Sequence, residues 1–248
     1  MSPVMRLQHL LPSSAKRWVK EKGTRLLNVP WNRFNIPVSL MPYLKQGQLI
    51  NLVDVGASQG EFTLSIESYC GICKAMLIEP QPTRVNELKK KFPGPRFSIV
   101  EVAAAARGET VDMELLNWDY SSSLLSLKRE IADAYGGRDM NVRDIVSVHT
   151  ATLDDICREF RDTIDLLKID VQGSEAQVIA GAKETLKRVR MIWMEVSFKP
   201  LYEGSETLER MNALCGDEGF VLTHLEEGFH SESTGELLQG DALFLRKF

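Results

Sequence analysis

The residues with types and spacing suited to chemistry stand at the ends of three apolar runs. The first run, Leu49 to Val55, carries Asp54 near its end and leads into Gly56-Ala57-Ser58-Gln59-Gly60. It reads as a parallel strand covered on both faces, followed by a turn whose two glycines let backbone approach a ligand closely. A Gly-x-Gly-x-x-Gly loop brings a pyrophosphate onto a helix N-terminus, and this Gly-x-x-x-Gly loop lacks the middle glycine. Phosphate binding is therefore disfavoured. The second run, Lys74 to Pro80, ends in Glu79, whose carboxylate is placed to accept both hydroxyls of a ribose. Asp54, the loop Gly56, Ala57, Ser58 and Gly60, and Glu79 together point to S-adenosyl-L-methionine (SAM), which offers a ribose and an amino-acid tail but no phosphate. The competing reading is a glycine loop that only closes a strand-helix corner. In the third run, Ile164 to Asp170, Lys168 lies two residues before Asp170 on the same strand face, where an ammonium is costly unless paired. Asp170, Glu195 or Asp54 is the expected partner, and a lysine snorkelling to an edge is the alternative.

The elements that must position these groups alternate along the chain. Strands are expected at 49–55, 74–79, 96–103, 145–150, 164–170, 190–198, 219–225 and 241–247, with helices at 60–69, 82–92, 152–160, 174–186 and 205–218. Ser174 reads as a helix cap. This is a doubly wound α/β pattern with a mostly parallel seven-stranded sheet. The last two strands, joined without a crossover helix, should pair antiparallel. Thr110 to Leu116 reads as part of an extra edge hairpin. Residues 117–143, with one short helix near 124–134, are long and polar enough to be a lid or a substrate loop.

The chain has 248 residues, 44% hydrophobic and 26% charged, enough for one sizeable core. No run is long and apolar enough for a membrane span, and no signal peptide is evident, so a cytoplasmic protein is expected. Cys70 and Cys73 form an isolated Cys-x-x-Cys, a weak zinc signal without a second ligand pair. His9, His149, His224 and His230 have no metal-ligand spacing, although His149 and His230 are candidate loop bases. The net charge of -4 hides an asymmetry: residues 1–45 hold eight Lys/Arg and one acid, Glu21. Residues 1–45, with a helix expected at 14–27 and a short one near 38–44, read as a basic arm on a domain spanning 46–248. Such an arm suits contact with a membrane surface, an anionic substrate or nucleic acid, and equally a solvated helix packed across the sheet.

Val53 to Gly60, Ile78-Glu79-Pro80-Gln81-Pro82, Thr152-Leu153-Asp154-Asp155-Ile156 and Leu167 to Glu175, ending at Trp193-Met194-Glu195-Val196, resemble in order the FkbM family of class I SAM-dependent methyltransferases. Gln172 departs from the pattern, since an acid is common there. The resemblance implies an O-methyltransferase acting on a hydroxyl of a sugar, a glycolipid or a related natural product. Carried over, Asp54, Gly56 and Gly60 would contact the methionine part, Glu79 the ribose, and Glu101-Val102-Ala103 the adenine edge. Asp170 and Glu195 would face the transferred methyl.

Methyl transfer to a hydroxyl requires a proton acceptor near the end of the fourth strand. Asp170 is the first candidate, with Lys168 and Glu195 completing the catalytic set. Asp170 would otherwise cap the following helix or bind the donor's amino group. Glu175 either contacts substrate or only favours the helix dipole. Trp118, Tyr120, Ser122 and Ser123 offer a stacking face with hydroxyl partners suited to a sugar, and a plain surface loop is the alternative. A metal site would need a third oxygen ligand beside Asp170 and Glu195, and none is assigned. Two other functions compete. Lys168, Asp170 and Glu195 loosely match the charged set of RNA ribose 2′-O-methyltransferases, but the acidic body disfavours nucleic acid. A non-catalytic SAM-fold partner protein is the second.

Overall fold

The computed structural model describes residues 36–117, 122–136 and 139–247. The basic segment up to residue 35, with the helix expected at 14–27, and Trp118 and Tyr120 of the expected substrate loop lie outside the described residues. In chain order the elements are β1 (Ile50–Val55), α1 (Glu61–Tyr69), β2 (Ile72–Ile78), α2 (Pro82–Lys91), β3 (Phe97–Val100), β4 (Ala103–Ala104), β5 (Thr110–Leu116) and β6 (Val142–Ala151). They continue with α3 (Leu153–Ile156), β7 (Ile164–Ile169), α4 (Glu175–Ala180), α5 (Lys183–Leu186), β8 (Val189–Ser197), α6 (Leu208–Asp217), β9 (Phe220–Glu227) and β10 (Gln239–Arg246).

Seven of these strands form the main sheet in the order β3-β2-β1-β7-β8-β10-β9. The first five run parallel, and β10 inserts antiparallel to both β8 and β9. The apolar runs account for this sheet, because successive residues of each central strand feed opposite cores. Leu52, Leu77 and Leu166 pack with Ile66 of α1 and Leu88 of α2 on one face. Val53, Ile78, Leu167 and Met194 pack with Val178 of α4 and Met211 of α6 on the other. Each fully buried Leu or Ile contributes about 1.5 to 3 kcal/mol to folding. Ile36, Leu40 and Leu44, C-terminal to most of the basic charges, join the first of these cores.

The doubly wound sheet and its antiparallel end match the sequence expectation, while several local details differ. The strand expected at 96–103 is divided: Phe97–Val100 stays in the main sheet, and Ala103–Ala104 crosses to a second one. Thr110–Leu116 is not an edge hairpin of the main sheet. It joins β6 antiparallel, and β6 joins β4 parallel, in a separate three-stranded sheet of order β4-β6-β5. β6 begins at Val142, so the polar connection is shorter than expected, and its helix is a 3-10 turn at Arg129–Tyr135. The 38–44 stretch is likewise a 3-10 turn at Val38–Leu40. The helix expected at 174–186 breaks at Gly181-Ala182 into α4 and α5, and that at 152–160 shortens to α3. Ser174 occupies the N-cap position of α4 but makes no capping bond.

Candidate active site

The site is assembled where open α/β sheets place ligands, outside the carboxyl ends of the central strands. β1 ends at Val55, β2 at Ile78 and β7 at Ile169, and the next residues of each open a cavity of about 310 Å³. Gly56, Ser58, Glu79, Gln81, Asp170 and Gln172 supply its polar wall, with Glu195 from β8. Ile78, Val102, Ala103, Ala104 and Met113 supply a flat apolar wall, and Ser122, Ser123 and Leu124 close a further side.

Backbone contact shapes the loop after β1. Gly56 has φ +74°, and a Cβ there would lie 1.9 Å from the carbonyl oxygen of Asp170. Only glycine lets the β1 and β7 loops approach this closely. Its carbonyl accepts a 2.6 Å bond from Lys168 Nζ. Asp54, paired in register with Lys168, is fully buried; it accepts Thr63 Oγ1 of α1 at 2.6 Å and faces Lys168 Nζ at 3.3 Å. Its carboxylate fastens helix, loop and strand together and does not line the cavity. Gly60 sits at the N-cap of α1 with Phe92 and Leu88 against it, and with Ala57 it also lies off the cavity lining.

Lys168 is the expected paired lysine. Besides Asp54 it faces Asp170 Oδ2 at 3.6 Å. Burial disfavours its charge, but the Asp54 and Asp170 carboxylates outweigh burial and hold it above the usual lysine range. Its ammonium is turned toward Gly56 O and Val55 O, beneath the cavity wall.

Glu79 is nearly buried, and its two oxygens accept Ser58 N and Gln81 N, each at 2.9 Å. Burial pushes its carboxyl up, against the pull of these two bonds. Its remaining lone pairs border the cavity, which suits a pair of neighbouring hydroxyls. At the opposite side, Gln172 Nε2 donates to Asp170 Oδ1 and to Glu195 Oε2, both at 3.0 Å, and Gln239 Nε2 donates to the same Glu195 oxygen at 2.8 Å. Burial, then Asp170, Glu175 and Asp241, push Glu195 well up. Asp241 faces Glu195 across the β8–β10 register, and burial followed by Asp170 moves it to about 7.

Glu175 does not reach the cavity. Its Oε1 accepts Val171 N and Gly173 N, each at 3.1 Å, and ties the Asp170 loop to the start of α4, while burial pushes its carboxyl to about 7. Glu101 is exposed and off the lining, whereas its neighbours Val102 and Ala103 are on it. His149 bonds Thr110 Oγ1 on the second sheet, and His230 lies 3.9 Å from Glu227; neither lines the cavity. The carboxylates of Asp170 and Glu195 converge on an N–H donor, and among the described residues no group of three metal-ligating side chains occurs.

The structure thus brings together Gly56, Ser58, Glu79, Val102, Ala103, Ser122, Ser123, Asp170 and Glu195. It adds Ile78, Ala104, Met113 and Gln239, which sequence reading missed. The apolar ones look like ordinary strand residues, and only pairing in the second sheet aims Met113 here. Among the described residues the cavity lining holds three carboxylates, from Glu79, Asp170 and Glu195, and no Lys or Arg.

Comparison with known proteins finds a match to the model of the methyltransferase FkbM domain over residues 54–222. A curated relative, the 2-O-methyltransferase NoeI of Sinorhizobium fredii, is 32% identical over 162 residues, which cover 62% of this chain and 65% of NoeI. The chain therefore matches just under two thirds of that relative's length. Among solved structures, the FkbM methyltransferase of Methylobacillus flagellatus superposes with a TM-score of 0.52 at 15% identity, over 86% of this chain and 47% of that one. A putative SAM-dependent methyltransferase of Listeria monocytogenes gives 0.50 at 9% identity, over 85% and 97%. These two likenesses are of fold.

Proposed function

The chain belongs to the FkbM methyltransferase family, and from that premise we propose that it moves a methyl group from SAM to a hydroxyl of an uncharged, hydroxyl-rich acceptor, such as a sugar, a glycolipid headgroup or a related natural product. The observation that carries this reading is the charge of the cavity: three carboxylates and, among the described residues, no lining cation. Such a lining offers a phosphate no cation and offers acidic partners to a ligand with positive sulfur and ammonium groups. Glu79 offers acceptors for a ribose, the Gly56 loop offers close backbone, and the wall of Ile78, Val102, Ala103 and Met113 suits an aromatic base. The residues present therefore fit SAM. The name of NoeI, a 2-O-methyltransferase, supports oxygen as the acceptor atom.

Bound SAM supplies a methyl group already activated by its sulfonium. The chain's contribution is position and a proton acceptor. Orientation of two reactants supplies on the order of 7 to 11 kcal/mol of a barrier. Asp170, whose side chain is 36% exposed beside the cavity, accepts the proton of the acceptor hydroxyl as the oxygen gains the methyl group. Lys168 holds Asp170 and the Gly56 carbonyl in register from beneath. Glu195 and the Ser122-Ser123 edge provide further hydroxyl partners.

The test incubates the purified chain with methyl-labelled SAM and a panel of neutral methyl glycosides, sugar phosphates and RNA. Label is expected in neutral glycosides as an alkali-stable ether. Label confined to RNA or to sugar phosphates, or to none of the panel, would overturn the reading.

A further inference from the structure

We propose that Gln172, oriented by Tyr202, is the positioning residue of the proton-accepting site: its amide bridges the carboxylates of Asp170 and Glu195 and aims both at the acceptor. This rests on the methyl-transfer reading above. An amide is the neutral group with two N–H donors on one atom, and Nε2 uses both, one to each carboxylate at 3.0 Å. It bridges two acidic side chains without adding a charge of its own. An amide is also two-ended, and with Oε1 turned inward it would repel both carboxylates. Tyr202 settles the orientation. Its side chain is fully buried, and its hydroxyl lies 2.8 Å from Gln172 Oε1. Burial pushes the phenol well above its ordinary range, so the hydroxyl keeps its proton and donates it to that oxygen.

The backbone is fixed as well. Gln172 has φ +56°, a left-handed conformation that a side chain rarely adopts without support. Ser123 Oγ donates to the Gln172 carbonyl at 2.6 Å and ties this strained residue to the wall of the cavity. Gln239 completes the arrangement by donating to Glu195 from β10. A simple staple for the loop would need none of these donors to converge on the two carboxylates.

The groups that bear on this pair are Lys168 from β7, with Asp54 of β1 and Glu79 behind it, Glu175 from α4, Asp241 from β10, and Tyr202 from the segment after β8. Lys168 favours the ionised form of Glu195, and Asp170, Glu175 and Asp241 oppose it. Removing the Gln172 donor takes away one of two N–H bonds to Glu195, which disfavours its ionised form.

The experiment is a ¹³C NMR titration of protein labelled at the glutamate carboxyl carbon, with Glu195→Gln to assign the signal, and it needs neither SAM nor an acceptor. In Gln172→Leu the Glu195 midpoint is expected to rise by about one pH unit. Tyr202→Phe keeps the buried ring and is expected to raise it in the same direction by less. The double variant is expected to shift no further than Gln172→Leu, because Tyr202 acts through the amide. An unmoved midpoint in both single variants, or additive shifts in the double variant, would overturn the proposal. Failure of wild type to bind SAM or methylate any glycoside would instead strike the methyl-transfer reading and leave the titration result standing.

Discussion

Lys168 illustrates how much a single residue fixes and how far it can be read. A buried ammonium in a central strand has one economical solution, a carboxylate partner, and that requirement was legible in the sequence. Its choice of Asp54 and Asp170 over Glu195 was not, because it follows from the β1–β7 register, which sets Asp54 directly beside Lys168. Lys168→Met would leave the fully buried Asp54 without its cation. A destabilisation of about 3 to 5 kcal/mol is expected, read as a lower denaturant midpoint. Asp170 is far more open, so Asp170→Asn should fold and retain SAM binding. Its turnover should fall on the order of 10²- to 10⁴-fold in a methyl-transfer assay, since the amide accepts no proton. Normal turnover would place the base elsewhere. Gln172 shows the limit of reading one residue at a time: the sequence marked it only as a departure, because its role depends on a left-handed backbone and on Tyr202, thirty positions away.

At the scale of elements, what was legible is local. The β1 run, its glycine turn and the start of α1 follow from apolar residues and backbone freedom within a dozen positions. Thr152-Leu153-Asp154-Asp155-Ile156 is local in the same way. Thr152 Oγ1 accepts Asp155 N to cap α3, and the Asp154 carboxylate accepts Glu184 N and Thr185 N at the start of α5. What was not legible is the second sheet. Alternation in Thr110 to Leu116 identifies a strand but not its partner, and β5 and β6 meet across a connection that no local pattern spans. That sheet matters because it brings Met113 and the Ser122-Ser123 edge to the cavity. A tight junction between elements is that of Gly56 against the Asp170 carbonyl. Gly56→Ala adds a methyl where backbone stands at 1.9 Å and demands a left-handed alanine. Loss of about 2 kcal/mol or more of stability is expected, together with weaker SAM binding, measured by denaturant unfolding and calorimetry.

For the whole molecule, buried acids near the site link stability to pH. Burial raises Glu175 to about 7, above the roughly 4.3 of an unfolded glutamate. The folded chain then holds this proton more tightly than the unfolded one, so the contribution is fully present below about pH 4.3 and is lost as pH rises through about 7. Glu175→Gln keeps an Oε1 for both Val171 N and Gly173 N but cannot titrate. Relative to wild type, its denaturant midpoint should improve at pH 8 over pH 5; an identical pH dependence in both proteins would show that Glu175 is not held protonated. Among the described residues no helix is long and apolar enough to cross a membrane. The acid-lined cavity beyond β1, β2 and β7 is proposed to bind SAM through Glu79. The most direct measurement is a calorimetric titration of SAM into wild type and Glu79→Ala. One site per chain is expected, with affinity about 5- to 150-fold weaker in the variant, equivalent to roughly 1 to 3 kcal/mol for the lost hydrogen bonds. No binding to wild type, or equal affinity in both proteins, would contradict it.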